Sequence, residues 1–203
     1  MAAITISRQL GSGGATIARA VADELGFHLL DRELVDLIAQ QLPASPEAAG
    51  MLDERAYGWA TSIVVSVLQA LRGQSITPET YNYVAAHVIR EAAERDDVVI
   101  LGRAAQVVLG KRPGTFHVHV VASLEERTAR IAARDHVDPA EARRRIRESD
   151  DERRRHVLSL GQRDWEDPLL YDLILNTDRL TPATSASVVT TAARLAGVLE
   201  RLS

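Results

Sequence analysis

Residues 4–17 read Ile4-Thr5-Ile6-Ser7-Arg8-Gln9-Leu10-Gly11-Ser12-Gly13-Gly14-Ala15-Thr16-Ile17, an apolar run followed by a cluster of glycines. The run predicts a short buried strand over residues 3–7, and the glycines predict a tight turn behind it. Ile17, Val21 and Leu25 then recur at intervals of four residues, which indicates an amphipathic helix that ends at Gly26. The segment is therefore predicted to form a strand, a glycine-rich turn and a helix.

The turn between this strand and this helix is suited to binding an anion. Glycines let the backbone curl so that successive amides face one point, and the helix adds its unpaired N–H groups and the positive end of its dipole. The turn is therefore predicted to hold a di- or triphosphate through Gly11, Ser12, Gly13, Gly14, Ala15 and Thr16. A tight turn that binds nothing is the alternative interpretation of the same residues.

The turn departs from the usual phosphate-loop pattern G-x-x-x-x-G-K-[ST]. Gly13 matches the glycine before the lysine, but Gly14 stands in place of the lysine and Ala15 in place of the magnesium-binding hydroxyl residue. Arg8 replaces the first glycine, and Thr16 supplies a hydroxyl one position later. Any chemistry that ordinarily uses this lysine must here use an arginine, backbone amides or nothing, and a kinase would need an arginine at the same place.

Composition limits the class of protein. The 203 residues are 46% hydrophobic and 26% charged, which suits one domain with a buried core. The absence of cysteine excludes disulfides and a cysteine nucleophile, and the single lysine, Lys111, leaves arginine as the cation for a phosphate. A net charge of −4 argues against nucleic acid as a partner. Without a membrane-spanning run or a signal peptide, a cytoplasmic protein with no membrane partner is expected.

The rest of the chain alternates between strand and helix patterns. Apolar runs predict buried strands over residues 27–30, 98–101, 116–121 and 172–176. Helical periodicity predicts helices over residues 33–41, 124–134, 139–160 and 182–202, and an all-helical segment over residues 54–96 whose second long helix begins at Thr77-Pro78. This alternation predicts an α/β fold, with helices on both faces of a parallel sheet.

Two arginine-bearing segments extend the candidate site. Arg103 follows the buried strand of residues 98–101, and ligands bind at the carboxyl ends of strands in open parallel sheets. An arginine there can bind a phosphate through two hydrogen bonds, although a capping or surface arginine is the alternative. Residues 141–155 contain seven arginines and five acids. Ion pairs on a solvated helix explain most of these charges, while a few arginines could reach over a triphosphate.

These motifs together resemble the cytidylate kinase-like family, which is related to the P-loop nucleoside monophosphate kinases. The resemblance covers essentially the whole chain. The matching stretches run in order and are Ile4-Thr5-Ile6-Ser7-Arg8-Gln9 with residues 11–14, Leu30-Asp31-Arg32-Glu33-Leu34, Gly102-Arg103, Ala122-Ser123-Leu124-Glu125-Glu126-Arg127, Ile146 with Asp150 and Arg153, Trp165-Glu166-Asp167-Pro168, and Tyr171-Asp172-Leu173 with Asn176-Thr177.

The resemblance implies a P-loop kinase three-layer sandwich, built on a five-stranded parallel sheet within a single domain over residues 1–203. It implies a helical acceptor-binding lobe over about residues 42–96 and a mobile, arginine-rich lid over about residues 139–165. ATP with Mg²⁺ would be the phosphoryl donor, and a nucleoside monophosphate, CMP or dCMP, the acceptor. The residues implied to bind the acceptor are Asp31, Arg32 and Arg103, and those implied for the lid are Arg147 and Arg153.

Arg8 is the expected substitute for the missing lysine, because it leaves the first strand at the mouth of the loop, and it joins Arg147 and Arg153 as a candidate catalytic residue. Arg147 and Arg153 are six residues apart, about 600° of helix rotation. If both serve one triphosphate, the helix is expected to break or bend near Ser149 and Asp150.

Other departures leave the function open between three hypotheses. Leu101 and Ala104 replace the acidic residues that flank the Gly-Arg pair of true cytidylate kinases. The chain is a cytidylate-like kinase, a kinase for a different small acceptor, or an inactive nucleotide-binding regulator derived from a kinase. His117 and His119 share one strand face without a third ligand at a recognisable spacing, so no protein metal site is predicted. A homo-oligomer is left open.

Overall fold

The computed structural model describes residues 1–31 and 78–199, and the fold is built from these two ranges. Five strands carry the sheet: β1 (Ala3–Arg8), β2 (His28–Leu30), β3 (Val98–Leu101), β4 (Thr115–Val121) and β5 (Leu173–Asn176). The helices of these ranges are α1 (Gly14–Leu25), α2 (Pro78–Arg95), α3 (Ala105–Leu109), α4 (Leu124–Asp135), α5 (Pro139–Gly161) and α6 (Pro182–Leu195), with a 3₁₀ turn at Pro168–Leu170.

The strands form one parallel sheet in the order β2-β3-β1-β4-β5. Strand β1 lies at the centre, where Ile4 pairs with Val99 on one side and with Phe116 on the other. Because all pairs are parallel, the carboxyl ends of the strands meet at one edge, and Arg8 of β1 lies beside the turn that follows β3. The predicted five-stranded parallel α/β sheet is confirmed.

The two faces of β1 bury different chemistry because successive side chains of a strand point to opposite faces. Ile4 and Ile6 join the main apolar core, together with residues of α1 and α6. Thr5 and Ser7 point to the other face, where they contact buried polar and aromatic side chains instead. Ser7, the residue before Arg8, is thus held in place by a hydrogen bond from Trp165.

Local signals set several helix ends as predicted. Gly26 ends α1 in the left-handed conformation with φ 68°, which glycine adopts without strain. Asp138 begins α5 by accepting hydrogen bonds from the amides of Ala140 and Glu141. The helix predicted over residues 182–202 is shorter, because α6 ends at Leu195 and the chain turns at Gly197 with φ 73°. Helix α3 was not predicted, since five residues are too few for a periodic signal.

The predicted acceptor-binding lobe is described only in part. Pro78 begins a helix, as the sequence predicts, and α2 runs to Arg95. The predicted helix over residues 33–41, most of the lobe and the candidate residue Arg32 lie outside the described residues. No helix in the two described ranges combines the length and apolar character needed to span a bilayer.

Candidate functional site

The turn after β1 is a curled loop held from within and from behind. Gly11 and Gly13 have φ values of 85° and 81°, a left-handed conformation that glycine allows. The buried Ser12 donates its amide and its hydroxyl to the carbonyl of Gln9, at 3.3 and 2.9 Å. The Thr177 hydroxyl donates to the Ser12 carbonyl at 2.8 Å. The loop therefore has a fixed shape.

The loop leads into the open amino-terminal end of α1. Gly13, the residue before the helix, has no side chain to cap it, and the amide of Ile17 bonds to the Gly13 carbonyl at 3.0 Å. The first helical turn consequently directs the amides of Gly14, Ala15 and Thr16 out of the helix end, where the dipole is positive. This geometry is the one that an anion site requires.

The loop opens onto a cleft of about 360 Å³, which we call the donor cleft after the role that we propose for it. Besides loop residues, the cleft is lined by four arginines that come from β1, α4 and α5, namely Arg8, Arg130, Arg134 and Arg153. Of the lining residues within the described ranges, none is an aspartate or a glutamate. The cleft therefore combines helix-end amides with guanidinium groups, which suits a polyphosphate.

The Arg8 side chain occupies space that the side chain of a lysine at position 14 would need. A Cβ atom built on Gly14 would lie 2.5 Å from the Cβ and 3.0 Å from the Cγ of Arg8. A Cβ built on Gly102 would collide with the Arg8 guanidinium. The side chain therefore crosses Gly14 and ends against Gly102 at the carboxyl end of β3. Because Gly14 has no side chain, the Arg8 side chain can lie across it.

A second cleft of about 210 Å³ lies on the β3 side of Arg8, and we call it the acceptor cleft after the role that we propose for it. Its described lining is Arg8, Arg103, Ser149, Glu152, Arg153 and His156. Arg8 and Arg153 line both clefts, so the two clefts meet at these side chains. Arg8 and Arg153, two of the predicted site arginines, thus lie together where the clefts meet, and Arg103 lines the acceptor cleft beside them.

The turn that carries Arg103 has an unusual backbone. Gly102, Arg103 and Ala104 are all left-handed, with φ values of 80°, 55° and 51°. A non-glycine residue in this conformation stores strain, and such residues concentrate at ligand sites. The turn brings Arg103 to the acceptor cleft and begins α3 immediately afterwards.

A buried ion pair ties α5 to the loop. Asp150 of α5 accepts hydrogen bonds from the Leu10 amide at 2.9 Å and from the Arg127 guanidinium at 2.5 Å. Arg127 in turn donates to the Leu10 carbonyl at 3.4 Å, so the pair holds both backbone groups of one loop residue. Asp150 also accepts from Arg153 at 3.1 Å, which orients that side chain at the junction of the clefts.

The two arginines predicted for a lid occupy different positions on α5. Arg153 lines both clefts, whereas Arg147 is exposed and belongs to the lining of neither. Helix α5 is continuous through Ser149 and Asp150, so the break expected for a joint role of both arginines is not present in this conformation. A role for Arg147 stays a prediction, as does acceptor binding by Asp31, which follows β2 at the same sheet edge.

Sequence reasoning missed the arginines of α4. Arg127, Arg130 and Arg134 lie on one face of the helix, at spacings of three and four residues, and that pattern is visible in the sequence. Arg130 donates to the Thr177 hydroxyl and carbonyl at 3.1 and 2.9 Å, beside the loop. Arg134 donates to Asp135 and thereby lowers the pKa of that carboxyl.

A buried polar cluster supports β1 beneath Arg8. The Trp165 indole donates to the Ser7 hydroxyl at 2.8 Å, and the Tyr171 hydroxyl donates to the Trp165 carbonyl at 2.7 Å. His119 stacks on Tyr171 with a ring separation of 4.6 Å. Burial lowers the pKa of His119 to about 4 and raises the pKa of Tyr171 to about 12. Both rings are therefore neutral at neutral pH.

The residues of this site do not form a protein ligand set for a divalent cation. Within the described part of the chain there is no cluster of three or more His, Asp or Glu side chains suited to a metal. Both ring nitrogens of His117 are engaged, with the Thr5 hydroxyl and the Gly110 carbonyl, each at 2.7 Å. In the first turn of α1, Ala15 offers no ligand atom and Thr16 offers one hydroxyl.

A parallel sheet in this strand order, with a glycine-rich loop between β1 and α1, is the architecture of P-loop kinases. Among solved structures, the fold matches a protein of Eubacterium ventriosum with a TM-score of 0.71 at 20% identity, covering 94% of this chain and 97% of that one. It matches shikimate kinase of Bacteroides thetaiotaomicron with a TM-score of 0.53 at 14% identity, covering 97% and 98% of the two chains. These likenesses establish the fold.

The chain belongs to the cytidylate kinase-like family, whose sequence profile matches residues 3–179. Cytidylate kinase of Pyrobaculum aerophilum is 29% identical over 182 residues, which span 89% of this chain and 86% of that protein. Cytidylate kinase of Methanopyrus kandleri is 35% identical over 108 residues, 49% of this chain and 56% of that protein. The predicted family is confirmed, and fold and family together support phosphoryl transfer.

Proposed function

We propose that the protein transfers a phosphoryl group from ATP to a nucleoside monophosphate of the CMP or dCMP type, with Arg8 in place of the phosphate-loop lysine. The donor phosphates bind in the donor cleft on the loop of residues 11–16, and Arg103 binds the phosphate of the acceptor in the acceptor cleft. The observation that carries the proposal is the course of the Arg8 side chain, which crosses Gly14 and ends where the two clefts meet.

The position of Arg8 matches the charge that develops during the reaction. Transfer spreads negative charge over the oxygens of the moving phosphoryl group, and a preorganised cation at that point stabilises the transition state. A lysine at position 14 would reach this point from the helix, whereas Arg8 reaches it from the strand. Arg153 lies at the same junction and is oriented by Asp150.

Kinases of this family use ATP with a divalent cation, and we propose Mg²⁺ as that cation. When bound, the cation would stabilise the charge that develops on the donor phosphates during transfer. Because the Ser12 hydroxyl is buried and bonded to the Gln9 carbonyl, Thr16 carries the exposed hydroxyl of the loop, and the oxygens of the nucleotide and water would supply most of the cation's ligands.

An exchange of two residues tests the proposal. Arg8→Ala should lower kcat by roughly 10²-fold or more, the effect of removing one preorganised transition-state donor. The double variant Arg8→Gly/Gly14→Lys restores the usual G-x-x-x-x-G-K spacing and should recover activity relative to Arg8→Ala. Gly14→Lys alone should lose activity relative to the parent protein, because its Cβ overlaps the Arg8 side chain.

The assay is ADP formation that depends on added CMP, with the melting temperature recorded for each variant. Arg8 is half-buried at the cleft, so its replacement should leave the fold intact. Full activity of Arg8→Ala would refute its role. A restored lysine that fails to recover activity would show that Arg8 does not replace it.

A kinase for a different acceptor is the second candidate. Leu101 and Ala104, which replace acidic residues on either side of the Gly-Arg pair, are buried at 6% and 4% exposure. Neither offers a group to recognise cytosine, while Arg103 between them keeps the phosphate contact. A panel of nucleoside monophosphates, shikimate and gluconate decides between the acceptors. ATP binding without turnover on any of them would favour the inactive regulator. Cytoplasmic location and homo-oligomer formation stay predictions from the sequence.

A further inference from the structure

Arginine side chains dominate the charge of the donor cleft. The described lining contains Arg8, Arg130, Arg134 and Arg153, and it contains no carboxylate. The position that ordinarily carries the metal-binding hydroxyl is Ala15, and Thr16 is the one hydroxyl of the first helical turn. Hard divalent cations prefer carboxylate and hydroxyl oxygens, so the chemistry of this lining suits an anion and not its metal ion.

Carboxylates that lie outside the described lining orient two of these arginines. Asp150 accepts hydrogen bonds from both Arg127 and Arg153. Asp135 accepts from Arg134 and also from an arginine of α5. These contacts hold the guanidinium groups of Arg134 and Arg153 in position at the cleft.

Arg130 is held in position by other contacts. Its guanidinium donates to the hydroxyl and the carbonyl of Thr177, which are neutral groups, and its carboxylate neighbour Glu126 lies 3.6 Å away and is half exposed to solvent. The guanidinium is thereby held in place beside the loop amides. A triphosphate in the donor cleft would meet fixed cations on one side and helix-end amides on the other.

We infer that the donor cleft binds the nucleoside triphosphate as its metal-free polyanion, with arginine supplying the charge neutralisation that a bound metal ion supplies elsewhere. The inference rests on the proposed function, since it concerns the same ligand in the same cleft. A metal ion on the nucleotide lowers the charge that these arginines attract and gains at most one protein ligand. Binding of the triphosphate therefore does not require the metal ion, whatever that ion contributes to transfer.

Isothermal titration of ATP into the full chain tests this, with excess MgCl₂ in one series and EDTA in the other at matched ionic strength. We expect dissociation constants that agree within about threefold, or tighter binding in EDTA. Binding that weakens by about tenfold or more in EDTA would overturn the inference. If ATP binds under neither condition, the proposed function fails instead, so the two failures are distinguishable.

Two variants of exposed residues sharpen the test. Ala15→Ser installs the hydroxyl of the usual pattern and should make binding tighter in MgCl₂ than in EDTA. Thr16→Ala removes the native hydroxyl and should leave the ratio of the two dissociation constants unchanged. A change of that ratio in Thr16→Ala would show that Thr16 holds a metal ion and would overturn the inference. Melting temperatures of both variants confirm that they fold.

Discussion

The buried ion pair between Asp150 and Arg127 is predicted to fix the phosphate loop, and Asp150→Asn tests this. The amide keeps an acceptor for the Leu10 N–H group at 2.9 Å but offers no charge to Arg127 at 2.5 Å. The two side chains are only 10% and 11% exposed, so the substitution leaves a guanidinium charge in a poorly solvated place. Removing one partner of such a pair costs about 3–5 kcal/mol.

Two remaining contacts of Arg127 place the expected loss at the lower end of this range. Its guanidinium still donates to the carbonyls of Ala122 and Leu10, at 3.1 and 3.4 Å. We therefore expect a loss of about 3 kcal/mol in the free energy of unfolding. For a chain of this size, that loss corresponds to a fall in Tm of roughly 6–12 °C.

Asp151 provides the matched control, since it is the next residue of α5 and pairs with Arg154 at 2.6 Å while being 60% exposed. Asp151→Asn should change stability by less than about 1 kcal/mol. Urea unfolding of both variants measures the difference. In addition, Asp150→Asn should weaken ATP binding, because Leu10 and Arg153 lose their fixed positions. Equal losses of stability in the two variants, or a smaller loss in Asp150→Asn, would refute the role of the pair.

Two further predictions concern the support of the loop. The free energy of unfolding should fall by roughly 3 kcal/mol as the pH is lowered from about 6.5 to about 4. Burial lowers the pKa of folded His119 to about 4, whereas the same side chain in the unfolded chain takes up its proton near pH 6.5. Urea midpoints of His119→Phe should decline less over this window, and an equal decline would contradict the assignment. Gly14→Ala should reduce kcat by displacing the Arg8 side chain. In an Arg8→Gly background, where kcat is already low, the same change should cause no further loss of kcat. Equal harm in both backgrounds would show that Arg8 is not the neighbour that matters.

The fold was predictable from local signals because its fully buried strands are continuous apolar runs. Val98–Leu101 was predicted with the same bounds that the structure gives. Gly26 marked a helix end by its left-handed conformation, and Asp138 marked a helix start by its capping side chain. Helix α3 gave no such signal, because it follows three left-handed residues and completes little more than one turn. Short elements fixed by tertiary contacts are the ones that local patterns miss.

The candidate site was predictable only in part. Both the loop and Arg103 follow buried strands; the glycines together with this position identified the loop, and position identified Arg103. Nothing in the sequence distinguishes Arg147 from Arg153 on a helix so rich in charge, whereas the structure places only Arg153 at the clefts. The bond from Leu10 to Asp150 joins residues 140 positions apart. Contacts of this kind arise from packing, and no local pattern encodes them.

The geometry of Arg8 also bears on the choice between a kinase and an inactive nucleotide-binding protein. Binding of a triphosphate alone is served by cations in the donor cleft, such as Arg130 and Arg134, which are absent from the described lining of the acceptor cleft. A cation between the clefts acts on charge that appears when donor and acceptor meet, and only such differential stabilisation raises kcat. Arg8→Ala should therefore lower kcat far more than it weakens ATP binding. Comparable losses in both quantities would place Arg8 among the binding residues and remove the main structural argument for catalysis.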